Sequence, residues 1–214
     1  MLKKIIILLF IVLILPLFTN IINASETAQK ENESLDMTSE KIIPVKVKYD
    51  LAFPGLLPNH PLYKLKVLRD KISLALINDP RKKIDFYLLK TDKEILATAM
   101  LVDKNEYELA EQTALKAEHN YTLLTRELHN LSSAPKEDLY KKLETASLKH
   151  QEVLESLAER APKDKKKTFL TVIDFSKRNW ESVEEYREMK EEQQREQREI
   201  EEERKMEEQS ELTQ

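Results

Sequence analysis

Cysteine is absent and glycine occurs once, as Gly55. Without thiols there is no disulfide framework, no thiolate metal site and no cysteine for a lipoprotein anchor. A single glycine among 214 residues leaves too few positions of free positive φ for the tight turns of a β-rich fold. It also excludes the glycine-rich phosphate loops, which need more than one. Aromatic residues are sparse, at 7 %. Charge and helical spacing are what the sequence has in quantity, with 35 % of residues charged.

The N-terminus carries the one long apolar run. Lys3 and Lys4 precede Ile5–Phe18, and Ile22-Asn23-Ala24 forms a small-residue exit. This order reads as a secretory signal peptide over residues 1–24, cleaved after Ala24. The rival reading is an uncleaved membrane anchor, although the run of 14 residues falls short of the roughly 20 that span a bilayer. The expected location is therefore secreted or extracytoplasmic. Membrane contact is expected only through this segment, where it stays uncleaved.

Charge is unevenly distributed. Residues 25–40 hold one base and five acids, and residues 41–180 hold 26 bases and 20 acids. Residues 181–214 hold six bases and 14 acids. A body of net +6 thus stands between acidic stretches of −4 and −8. Residues 25–48 read as a disordered acidic leader with too little apolar surface to order itself, in which Ile42–Val47 is compatible with a short extended piece. Pro54, Gly55, Pro58 and Pro61 then forbid a helix and stiffen the approach to the first one.

Five helices are expected after that approach. The first, about Leu62–Ile77, spaces Leu65, Leu68, Ile72 and Ala75 by three and four as a core-facing stripe. Asn78-Asp79-Pro80 ends it and caps the second, about Arg81–Asp103, with Ile84, Leu88, Ile95, Ala99 and Val102 inward. The third, about Glu106–Leu131, has the most regular stripe: Tyr107, Ala110, Ala114, Ala117, Tyr121, Leu124, Leu128 and Leu131. The fourth, about Lys136–Arg160, turns Tyr140, Leu143, Ala146, His150, Val153 and Leu157 inward. The fifth starts near Lys163 with Phe169, Val172, Ile173, Ser176, Trp180 and Val183, closed by Tyr186 and Met189.

Beyond Lys190 the composition still favours helix, but the stripe is gone. The fold class expected is all-α: an antiparallel bundle of four to five helices over residues 49–189, with an acidic, partly solvated helical or disordered extension over 190–214.

Leu57-Pro58, Pro61-Leu62-Tyr63 and Leu65-Lys66, followed by Asp79-Pro80, Lys83, Tyr107 and Ala110, form a spaced pattern over about 50–125. In this the chain resembles an uncharacterised family of exported bacterial helical domains, a domain of unknown function. The resemblance implies export and a helical fold and brings no catalytic residue. It also implies a glycine where Asn105 stands, and an Arg-Leu pair where this chain has Lys93-Glu94-Ile95-Leu96. Residues 95–121 are similar to one tetratricopeptide-type helical hairpin, with no second copy about 34 residues away.

Chemistry-bearing constellations are few. No Glu-x-x-His motif precedes His119, His129 or His150, the residues three before being Lys116, Arg126 and Ser147. His150 reads as a core-edge histidine with a satisfied ring nitrogen. No serine lies in a glycine-flanked strained turn. No catalytic residue, metal ligand or cofactor is therefore expected, and the chain reads as non-enzymatic.

Two basic clusters oppose the dipoles of the helices they begin: Arg81, Lys82 and Lys83, and Lys163, Lys165, Lys166 and Lys167. They are the candidate contacts for an anion or partner, against the plainer reading of ordinary solubility. The function expected is extracytoplasmic binding of a protein or cell-envelope component, with no nucleic acid. The alternative is a membrane-tethered sensor or regulator held by the N-terminal segment. No oligomeric state follows from the pattern.

Overall fold

A computed structural model describes residues 46–212, the side chains of 210–212 excepted. The expected signal peptide, and the leader up to residue 45, lie outside the described residues. The five helices are α1 (Tyr63–Ala75), α2 (Pro80–Asp103), α3 (Tyr107–His129), α4 (Glu137–Arg160) and α5 (Lys163–Leu212). No strand occurs among the described residues. Their termini follow local chemistry. Asp79 accepts the Arg81 backbone N–H at 2.9 Å, and Pro80 occupies the first turn of α2.

The α2–α3 bend is a paired C-terminal cap. The Glu106 N–H donates to Leu101 O, and the Asn105 N–H to Val102 O, both at 2.9 Å. Asn105 sits at φ 60. That left-handed backbone gives the physical reason for the glycine implied at this position. Asparagine is among the residues that best replace it there.

Helices α2 and α3 form one antiparallel hairpin, α4 and α5 a second, and the two hairpins stack side by side in the same direction. Ties from α2 to α4 join Asp85 to Lys142, Asp92 to His150 and Asp103 to Arg160, at sequence separations of 57, 58 and 57. Ties from α3 to α5 keep a similar step, with Thr122 and Asn179 57 apart and His129 and Ser182 53 apart. A second hairpin does follow the first, therefore, but at this longer step. The bundle is antiparallel within each hairpin and parallel between them.

The core has two apolar blocks. One gathers Ile84, Leu88, Tyr121, Leu124, Leu128, Leu143, Val183 and Tyr186. The other gathers Ile95, Leu101, Ala110, Ala114, Ala117, Leu154, Leu157, Phe169 and Val172. Buried Thr91, Asp92, Glu118, Ser147, His150, Ser176 and Asn179 also lie within these four helices. The expected stripe of α3 is buried apart from half-exposed Tyr107. In α4, Leu154 is fully buried where Val153 is only partly so.

Helix α1 departs from expectation, because none of its residues is buried. The face it turns to the bundle carries Tyr63, Asp70 and Leu74. Lys116 Nζ donates to the Tyr63 hydroxyl at 2.9 Å, Lys90 pairs with Asp70 at 3.2 Å, and Leu74 packs on the first apolar block. Those partners set its rotation, and the stripe expected to face the core faces solvent. At the other terminus α5 continues as one helix to Leu212, its side chains exposed from 191 through 209. The tail does not fold back on the basic body.

Candidate functional site

The proline-rich approach is fastened onto α1. Lys66 Nζ donates to Pro54 O at 2.7 Å and to Leu56 O at 3.2 Å. The arch between them turns at Gly55, whose φ of 68 lies where only glycine rests without cost. Beneath the arch is an open cleft of about 280 Å³, lined by Phe53, Pro54, Gly55, Leu56, Lys66, Arg69 and Lys93. Three cations thus share a wall with apolar and aromatic surface.

A charged network supports that wall. Asp70 is held by Arg69 at 2.8 Å and Lys90 at 3.2 Å, and buried Glu94 by Lys116 at 2.7 Å. Counting Lys66 and Lys93, five cations meet two carboxylates. Burial pulls the Lys66 amine down to about 8; Asp70 opposes that and Lys90 and Lys93 add to it. Burial likewise lowers Lys93, with Asp70 opposing. Asp70 is itself held below the usual carboxylate range: burial works against this, but Arg69 and Lys90 outweigh it.

Beside the cleft runs the outward stripe of α1. Leu62, Leu65, Leu68, Ile72 and Leu76 are each between 52 % and 75 % exposed, and Phe53 at the cleft rim is 68 % exposed. At about 100° per residue, Lys64 and Lys71 border the stripe on one side and Lys66 and Arg69 on the other. An apolar stripe of this width on one helix is not the scattered exposure that every surface shows.

The basic clusters singled out in the sequence lie elsewhere. The starts of α2 and α5 fall at opposite ends of the stacked hairpins, so the fold does not bring the clusters together. Arg81 donates to Ser133 Oγ at 3.3 Å, and Lys83 pairs with Glu127 at 3.7 Å. Lys165 lies 3.3 Å from both Glu108 and Glu111. Lys82, Lys163, Lys166 and Lys167 are exposed. The cleft cations Lys66, Arg69 and Lys93 were not singled out. The signal for them was the density of Lys64, Lys66, Arg69 and Lys71 against the single acid Asp70 in α1.

A second polar group is sealed inside the bundle. His150 is fully buried rather than at the core edge, with Nε2 2.7 Å from Asp92 Oδ1. Asp92 Oδ2 accepts from the Tyr49 hydroxyl at 2.8 Å. The same contact with Asp92, after burial, raises the Tyr49 phenol. Glu118 accepts from Asn179 Nδ2 at 3.1 Å and is raised above the usual carboxylate range, chiefly by burial; His150, Asn179 and Ser176 pull the other way. Among the described residues neither His150 Nδ1 nor Glu118 Oε1 has a hydrogen-bond partner. The Asp92–His150 pair ties α2 to α4 across the bundle. Among the described residues no three His, Asp or Glu side chains converge as a metal ion requires, and no helix is long and apolar enough to cross a membrane.

One family model matches residues 55–164, a domain of unknown function (DUF5667). The match reaches beyond the residues that carried the resemblance, taking in α4 and the first residues of α5. No curated protein and no solved structure matches.

Proposed function

We propose, from the premise that this chain belongs to the DUF5667 family, that it is a non-enzymatic, extracytoplasmic helical module. It binds a protein or cell-envelope component through the α1 face. The observation that carries this reading is that α1 buries none of its residues and that Leu65, Leu68 and Ile72 on it, with Leu62 and Leu76 at its two caps, stand exposed to solvent. Keeping that much apolar area wet is unfavourable by about 25 cal/mol per Å², which a partner's cover relieves. The cleft beside it supplies cations that orient an acidic group.

The export half of the reading rests on Lys3-Lys4, the run Ile5–Phe18 and Ile22-Asn23-Ala24. The same run supports the second reading, a sensor or regulator tethered by an uncleaved segment. The test is affinity capture from the cell envelope with the full chain and with Leu65→Glu/Leu68→Glu, together with the mass of the mature N-terminus. Partners retained by the parent and lost by the double variant support the α1 face. Equal capture by both would reject it. A terminus at Ser25 supports release, and an intact Met1 supports tethering.

A further inference from the structure

We propose that α1 and the Phe53 rim form a surface that lies on an anionic lipid bilayer; the proposal rests on the extracytoplasmic reading above and names the partner of the same face. The apolar stripe Leu62, Leu65, Leu68, Ile72 and Leu76 runs the length of a helix of 13 residues, or about 20 Å. Exposed Lys64 and Lys71 border it on one side, and on the other stand Arg69, exposed and paired with Asp70, and Lys66, whose amine is held by the Pro54 and Leu56 carbonyls. That is the arrangement of an interfacial helix, whose leucines enter the headgroup boundary while long basic side chains reach out to the phosphates.

Charge argues for this occupant over a second copy. Two α1 faces laid together would oppose Lys64, Arg69 and Lys71 to the same residues. The sole acid of α1, Asp70, is already shared between Arg69 and Lys90. An anionic sheet is complementary to every part of the patch. The cleft adds to it: Lys66, Arg69 and Lys93 share one wall with Phe53 and Leu56, so an acidic headgroup finds cations beside apolar surface. In the tethered reading, the run Ile5–Phe18 also keeps the chain at a membrane. The sequence pattern confined membrane contact to that N-terminal segment; α1 gives a second contact.

The absence of cysteine makes a direct test simple. The full chain carrying Leu68→Cys is labelled with an environment-sensitive dye, and Lys177→Cys on exposed α5 is the control. Each is mixed with vesicles of phosphatidylcholine, with and without phosphatidylglycerol. The dye at Leu68 is expected to shift to the blue on the anionic vesicles alone, the dye at Lys177 staying unchanged. Removing two border charges, as Lys64→Gln/Lys71→Gln, is expected to weaken that binding roughly tenfold to thirtyfold, with further loss in high salt. Insertion of the N-terminal run alone leaves the Leu68 dye unshifted, and that result overturns the proposal. So does an equal shift on neutral vesicles, or one that grows with protein concentration without vesicles, which assigns the face to a second copy. A Leu68 shift produced only by envelope protein would reject the lipid surface while keeping the binding module. No shift with lipid or envelope protein would reject both.

Discussion

Asp92 and His150 meet through Oδ1 and Nε2 at 2.7 Å, and Oδ2 of the same carboxylate accepts from the Tyr49 hydroxyl at 2.8 Å. One aspartate therefore joins α2 to α4 and fastens the segment before α1 to the bundle. Asp92→Ala leaves a buried imidazole and a phenol without their acceptor, at an expected cost of about 3 kcal/mol. Tyr49→Phe, which removes one bond and empties no space, should cost about 1 kcal/mol and speed proteolysis ahead of α1. Urea denaturation measures both. A cost for Asp92→Ala below about 0.5 kcal/mol would show that the tie is energetically idle.

Glu118 sets a pH dependence of definite sign. Burial raises its carboxyl, against His150, Asn179 and Ser176, so the folded chain favours the protonated form. Its contribution to stability is complete below the ordinary carboxylate range and is lost as pH rises through the raised value. Glu118→Gln keeps the shape without the charge. It should remove that slope and, at neutral pH, gain on the order of 1 kcal/mol. Melting temperatures of both proteins across the acid range decide it, and parallel curves would defeat the assignment.

Asn105 tests the bend between α2 and α3. Its φ of 60 disfavours any residue with a branched Cβ, so Asn105→Val should cost about 1–2 kcal/mol. Asn105→Gly should be neutral or slightly stabilising. Equal stability of all three proteins would mean that the cap does not hold in solution.

The tail of α5 is exposed from 191 through 209, so little apolar burial holds it. Pairs such as Lys205 with Glu201 at 2.8 Å support it by about 0.2–0.5 kcal/mol each. A chain ending at Met189 is therefore expected to melt within a few degrees of the parent at low and high salt. A drop confined to low salt would indicate docking of acidic residues on the basic body. A drop at every salt concentration would mean that Ile200 and Met206 have apolar partners.

Helix positions were legible because caps and breakers are local. Asp79-Pro80, Lys104-Asn105 and Ala161-Pro162 place the bends within about two residues of where they occur. The α3 stripe was legible because it packs against neighbours along its whole length. The rotation of α1 was not, because a leucine stripe looks the same whether it faces a core or solvent. What decides is Lys116 and Lys90, distant in sequence, holding Tyr63 and Asp70. The polar members of the core were hidden for a similar reason: the partners of Asp92 and Glu118, His150 and Asn179, come from other helices. The cleft combines an arch before α1 with Lys93 of α2, a juxtaposition no local pattern contains.

The near-constant step of 57 residues between the stacked hairpins has a kinetic meaning. Ties between hairpins join residues 53 to 61 apart while each hairpin closes over its own short bend, so the hairpins are expected to form first and then dock. Order lost from such a stack is lost at its outer edges first. Helix α1, none of whose residues is buried, should exchange its amide hydrogens long before α3, whose amides should be released only with global unfolding.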